Sequence, residues 1–371
     1  MSGDNRTGGA SIRVLLVGPS LDILGGQAVQ AARLLTGLKE IEGLEVSFLP
    51  VNPRLPGPLK ALQRVKYVRT LVTFPLYLAS LCLRVWRADV VHAFSAGYWS
   101  FLLAPVPAIL VARLLGRRVL LNYRTGEAED HLGRHGRVVI PLMRLAHSII
   151  VPSGYLVEIF GRYGLVAQAV ANFVDLDQIP YRERTQVAPN FLCNRNFEAH
   201  YNVACVIRAF AKIQDEYPEA TLALVGEGSE RTTLETLVRS LSLRAVAFAG
   251  SVHPHEMGGH YDRADCYLNA PEIDNMPTSV IEAFAAGLPV VSTDAGGTPW
   301  IVRSGQNGLL VSRNDDAALA DSAIRLLRED GLVHRLTNTA RNDVIANYTW
   351  DTVAPHWYSA YRDLFAHSGR N

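Results

Sequence analysis

Short apolar runs alternate with longer amphipathic stretches along most of this chain. The runs at 13–18, 46–49, 90–94, 119–122 and 148–151 each read as a buried strand, and 28–38 reads as a helix. A second series starts near Asn190, with strand-like runs at 190–193, 220–225, 245–249, 266–269, 290–292 and 308–311. Apolar strands separated by helix-length segments predict parallel sheets with helices on both faces, an α/β class.

The two series are joined by Val170-Ala171-Asn172-Phe173-Val174-Asp175 and a polar stretch over 181–189. The chain therefore divides into two Rossmann-like units, 11–178 and 179–350, facing across a cleft. Ligands of such sheets bind outside the carboxyl ends of the strands. No repeat of 20–50 residues and no low-complexity tract is present.

At 371 residues and 49% hydrophobic content, two cores can be filled. The net charge of +1 hides an asymmetry: residues 1–180 carry 19 Lys and Arg against 12 Asp and Glu, and residues 181–371 carry 17 against 23. Such a split suggests different partners for the two halves. No uninterrupted basic block is present, which argues against nucleic acid as a partner. Cys82, Cys193, Cys205 and Cys266 are far apart and form no Cys-x-x-Cys pair. That usage fits a reducing, cytoplasmic setting rather than a disulfide framework or a zinc site. Residues 1–10 are polar and Gly-rich, lack the apolar core of a signal peptide, and read as a disordered tail.

The densest candidate chemistry lies at Asp274-Asn275-Met276-Pro277-Thr278-Ser279-Val280-Ile281-Glu282. Pro277 suits a first helical turn, Thr278 and Ser279 suit its cap, and Gly287 ends the helix before Leu288-Pro289-Val290-Val291. A helix start presents free N–H groups and a positive dipole end, which suits a phosphate. Glu282, about one turn in, can accept hydrogen bonds from ribose hydroxyls. The plain alternative is a capped helix bearing one surface acid.

This stretch resembles the acid–seven residues–acid motif of retaining nucleotide-sugar glycosyltransferases of the GT-B fold, in glycosyltransferase family 4. The first acid of that motif is usually Glu; here it is the shorter Asp274. Gly25-Gly26 after the first strand resembles the family's Gly-Gly loop, which lets backbone approach a diphosphate or acceptor. Phe191-Leu192-Cys193-Asn194-Arg195-Asn196 places Arg195 where relatives hold a diphosphate-binding Arg, but their following Lys falls near His200. Gly226-Glu227-Gly228 and Gly250-Ser251-Val252 resemble the family's next turns, as does Asp294-Ala295-Gly296-Gly297, after which Trp300 replaces a common Glu. Arg124 stands where many relatives place a sugar-facing His. His92 reads as either a cleft residue or a satisfied core residue.

The resemblance implies a nucleoside-diphosphate-sugar (NDP-sugar) donor and transfer, with retention, to a hydroxyl of a glycan or lipid-linked acceptor, with no separate cofactor. It implies catalytic roles for Arg195, Asp274, Glu282 and Arg124. Donor contacts fall to Gly25, Gly26, Asn196, Val252, Asn275, Met276, Pro277 and Thr278. It also implies that a C-terminal helix in 351–371 packs back on the first unit, although an amphipathic helix with Val353, Trp357, Tyr361 and Leu364 on one stripe suits its own unit equally. Asp175-Leu176-Asp177 spells the metal–diphosphate motif of another glycosyltransferase fold, but it lies in the bridge, so no metal is expected. The departures at Arg124, His200 and Asp274 leave room for a catalytically weak sugar-nucleotide-binding partner subunit, or for a sugar-nucleotide epimerase. A Rossmann dehydrogenase is disfavoured because no Gly-x-Gly-x-x-Gly follows the first strand.

Residues 46–88 contain no acid and seven cations: Arg54, Lys60, Arg64, Lys66, Arg69, Arg84 and Arg87. The uncharged run 70–83 is too short to span a bilayer. Contact with an anionic membrane surface is one reading, giving a cytoplasmic protein peripheral to the inner face. A helical layer with a basic solvent face is the other.

Overall fold

Each apolar run becomes a strand of one of two parallel sheets. The computed structural model describes residues 11–20, 26–53, 66–95 and 97–366. The expected tail at 1–10, Gly25, and Arg54, Lys60 and Arg64 lie outside the described residues.

The first half runs β1 (Ile12–Gly18), α1 (Gly26–Glu40), β2 (Leu44–Pro50), α2 (Lys66–Val85), β3 (Val90–Ser95), α3 (Tyr98–Leu103), α4 (Pro105–Leu114), β4 (Arg118–Tyr123), α5 (Ala128–Met143), β5 (Ser148–Val151), α6 (Gly154–Arg162) and β6 (Gln168–Ala169). These strands form a parallel sheet in the order β2-β1-β3-β4-β5-β6. The two-residue β6 is too short to show in an apolar pattern.

The second half runs β7 (Asn190–Asn194), α7 (Val203–Glu216), β8 (Thr221–Val225), α8 (Arg231–Ser240), β9 (Val246–Gly250), α9 (Met257–Arg263), β10 (Cys266–Asn269), α10 (Thr278–Ala285), β11 (Val290–Thr293), β12 (Leu309–Val311), α11 (Asp316–Arg328), α12 (Leu332–Asn347) and α13 (Trp350–Ala366). Its sheet order is β12-β11-β10-β7-β8-β9, again parallel. The order reverses between β1 and β3 in one sheet and between β10 and β7 in the other. Crevices at such switch points are where open α/β sheets take ligands.

Each sheet is buried on both faces. On one side of the first sheet, Leu15, Val91 and Leu121 meet α2, α4, α5 and α6. On the other, Val14, Leu16 and Leu120 meet α1 and the stripe Val353, Trp357, Ala360, Tyr361 and Leu364 of α13. The last helix of the chain thus completes the core of the first sheet. His92 belongs to this layer: it is fully buried, with Nδ1 2.6 Å from the Tyr361 hydroxyl and Nε2 3.0 Å from Asn122 Nδ2.

Candidate active site

Both switch points open into one cleft of about 590 Å³. Gly26, Arg124, Arg195, Asn196, Val252, Asp274, Asn275, Met276, Pro277, Thr278 and Glu282 all line it, so eleven of the twelve residues singled out in the sequence meet in one place. Gly25 lies outside the described residues.

Arg195 follows β7 and Asp274 follows β10, the two strands flanking the second switch point. Arg195 Nη2 donates to Asp274 Oδ2 at 2.5 Å, Nη1 donates to Ser279 Oγ at 3.1 Å, and the guanidinium sits 4.0 Å over the Tyr201 ring. Burial is the largest influence and works against the Arg195 charge, but Asp274, Tyr201, Tyr267 and Cys193 together offset burial and carry the group above its ordinary range. Its buried Nε has no hydrogen-bond partner, so one donor of the fork is unspent.

Glycines hold this geometry from behind. At Gly226 φ is +151°, and a Cβ there would collide with the Arg195 carbonyl. Cβ atoms at Gly296 and Gly297 would collide with the carbonyls of Asp274 and Asn275. Asp274 Oδ1 also accepts from the Asn275 N–H at 2.7 Å, which tightens the turn.

The start of α10 differs from expectation. Pro277 is the N-cap residue rather than a first-turn residue, and no side chain caps the helix. Thr278 Oγ1 is turned to the first half, where it accepts from Gln30 Nε2 and Asn172 Nδ2 at 3.3 Å each. Ser279 serves Arg195 instead. The helix start therefore faces the cleft without a side-chain cap.

Glu282 is not a free carboxylate. Oε1 accepts from Arg33 of α1 at 2.8 Å, and Oε2 accepts from the Tyr261 hydroxyl at 2.7 Å. Burial, and then Glu282, raise the Tyr261 pKa well above its ordinary value, which keeps that phenol a donor.

Arg124 lines the cleft with its guanidinium already engaged. It donates to Asn172 Oδ1 and, at 3.3 Å, to Asn122 Oδ1, and it lies 5.4 Å from the centre of the Phe94 ring. Burial lowers its pKa to about 10, so it stays charged at neutral pH. Asn172 in turn donates to the Met276 carbonyl at 2.9 Å, and its N–H meets the Met276 sulfur at 3.2 Å. Ser153 donates to Asn275 Oδ1, and the ring of Trp300 lies against Gly154. The bridge and both sheets thus converge on the 274–278 turn.

Arg33, Gln30, Asn172, Tyr201 and Tyr261 were not singled out from the sequence. Only Asn172 carried a signal, as part of the bridge. His200, near the position of the missing Lys, lines the cleft and packs against the Tyr201 ring in a tilted contact, with ring centroids 4.1 Å apart. Asp175 caps a short turn by accepting from the Asp177 N–H, neither lines the cleft, and among the described residues no three His, Cys, Asp or Glu side chains group as metal ligands.

Residues 183–343 match the family model of glycosyl transferases group 1. The chain is 29% identical over 287 residues to glycogen synthase of Mycobacterium tuberculosis, which covers 73% of this chain and 68% of that protein. These matches support a group 1 glycosyltransferase. Another relative, N-acetyl-alpha-D-glucosaminyl L-malate synthase of Bacillus anthracis, is 29% identical over 207 residues, covering 53% of this chain and 54% of that protein. Solved structures give the glycosyltransferase the GT-B fold. Sucrose-phosphate synthase from Thermosynechococcus elongatus superposes with a TM-score of 0.79 at 20% identity, over 96% of this chain and 100% of that one. Anabaena HepE, in complex with UDP and glucose, does so with a TM-score of 0.74 at 16% identity, over 95% and 99%. The expected α/β fold of two Rossmann-like sheets facing across a cleft is borne out.

Proposed function

We propose that this glycosyltransferase moves a sugar from an NDP-sugar to a hydroxyl of a glycan or lipid-linked acceptor, with retention, in polysaccharide biosynthesis. The observation that carries this reading is the convergence of Arg195, Ser279 and the uncapped start of α10 on one wall of the cleft. A cation and the positive end of a helix are fitted to a diphosphate. They stabilise it as a leaving group by fixed electrostatics. Glu282 lies one turn deeper, where a ribose would use the lone pairs that Arg33 and Tyr261 leave open.

Three carboxylates line the cleft, and two of them, Asp274 and Glu282, are each held by an arginine. The third, Glu127, stands at the start of α5, and the resemblance to the family favours front-face attack with a donor phosphate oxygen as base. The free cysteines fit a reducing, cytoplasmic setting.

The test is release of nucleoside diphosphate from UDP-, GDP- and ADP-sugars, with glycan and lipid-linked acceptors, and the product anomer read by NMR. Transfer with the donor's anomeric configuration kept supports the reading. Donor binding without turnover indicates a partner subunit, and isomerised donor indicates an epimerase.

A further inference from the structure

We propose that the outer face of α2 and α4 is a docking surface for an anionic lipid bilayer. A helix that covers a sheet normally turns polar residues to solvent. In α2 the inward stripe is Thr73, Tyr77, Leu81 and Val85, all buried. The opposite side is apolar as well: Leu71 is 75% exposed, Leu83 74%, and Trp86 just beyond the helix 64%.

α4 lies beside α2 on the same face of the sheet and continues the patch with Leu110 and with Leu114, which is 85% exposed. Arg117 Nη2 donates to the Trp86 carbonyl at 2.6 Å and so fixes the end of α2 beside the end of α4. Several strongly exposed apolar side chains on two neighbouring helices point to an interaction surface.

Charge selects the partner. Arg84, Arg87 and Arg113 border the patch and are exposed. From residue 46 to residue 126 the sole acid is Asp89, and it is paired with Arg13 at 2.7 Å. The rim residues contributed by this stretch are therefore cationic. A second copy docking about a two-fold axis would set this rim against itself. Anionic headgroups neutralise it, while the leucines and Trp86 enter the interface. Among the described residues no helix is long and apolar enough to cross a membrane, so contact is interfacial. The patch shares no residue with the cleft, and docking needs no part of the transfer chemistry.

The test is flotation of the full chain with phosphatidylcholine vesicles, with and without phosphatidylglycerol, at low and high salt. The chain is expected to float with the anionic vesicles at low salt and to leave them at high salt. Arg87→Glu is expected to weaken vesicle binding by at least about tenfold. Leu83→Asp and Trp86→Asp are expected to do the same while leaving the melting temperature and nucleoside diphosphate binding unchanged. A chain that stays in the soluble fraction with anionic vesicles at low salt overturns the proposal. Variants that float like the parent overturn it too, as does a dimer in sedimentation that Leu83→Asp dissociates.

Discussion

Arg33 of α1 and Glu282 of α10 form an ion pair at 2.8 Å that ties the first sheet's layer to the second across the cleft. Both side chains are about seven-eighths buried, so the pair is shielded from bulk solvent screening. If Glu282 receives the ribose, its charge is needed for donor binding and Arg33 is its resting partner. Glu282→Gln is expected to weaken nucleoside diphosphate binding by about 1.5–3 kcal/mol, the range for hydrogen bonds to charged groups. Arg33→Met is expected to lower stability while leaving that affinity within a few-fold. Calorimetric titration of UDP, GDP and ADP checks both. Unchanged affinity in a folded Glu282→Gln protein removes Glu282 from the donor site.

Arg195 is expected to matter more for turnover than for folding. Arg195→Ala removes the cation facing the departing diphosphate, and a loss of one preorganised donor in a site of this kind costs about a hundredfold or more in kcat. Arg195→Lys keeps a charge but not the fork that reaches Asp274 and Ser279 together, and is expected to recover only part of the loss. Steady-state rates beside thermal melts separate the two effects. Turnover is also expected to survive EDTA, since Arg195 and α10 meet the diphosphate charge. An absolute requirement for Mg²⁺ or Mn²⁺ would assign that role to a metal.

The sheets were legible because buried parallel strands are apolar throughout; the expected edges of 148–151 and 266–269 match β5 and β10, and the others differ by a residue or two. The cleft was legible where backbone geometry leaves a mark in sequence, as with Gly226, Gly296 and Gly297 behind Arg195 and Asp274. It was not legible where the partner comes from the other sheet. Arg33 sits on an amphipathic helix and reads as a solvent-facing cation until Glu282, 249 positions away, is brought against it. Tyr261 gives no local sign of its acidic partner either, since Glu282 is 21 positions away on another helix.

The glycine cradle gives a further prediction. Gly297 has an ordinary negative φ of −84°, so alanine is not excluded there by backbone conformation. What excludes it is the Asn275 carbonyl directly behind. Gly297→Ala is expected to cost about 1–3 kcal/mol, as overpacking does, and to move the turn that carries Asp274. Thermal melting and donor affinity should therefore fall together. A loss of stability with donor affinity intact would mean that this turn does not form the donor site.

His92 is expected to contribute to the response to acid. Asn122 Oδ1 faces Arg124, so Asn122 presents its NH₂ to His92 Nε2. Nε2 must therefore accept, and Nδ1 carries the proton toward Tyr361. A second proton would set donor against donor in a fully buried site. Burial, and then the Arg124 charge, lower the His92 pKa from 6.5 to about 3. His131 is lowered to about 4, again chiefly by burial. The unfolded chain protonates these rings near 6.5, while the folded chain resists. Stability from keeping them neutral is thus fully present above 6.5 and is lost as pH falls, for His92 down to about 3. Within that window each such histidine steepens the loss toward about 1.4 kcal/mol per pH unit. Denaturant unfolding at a series of pH values is expected to show this decline in the parent chain and a shallower one in His92→Gln, whatever the variant's stability at neutral pH. Equal acid slopes in the two proteins would mean that His92 is not held neutral by the fold.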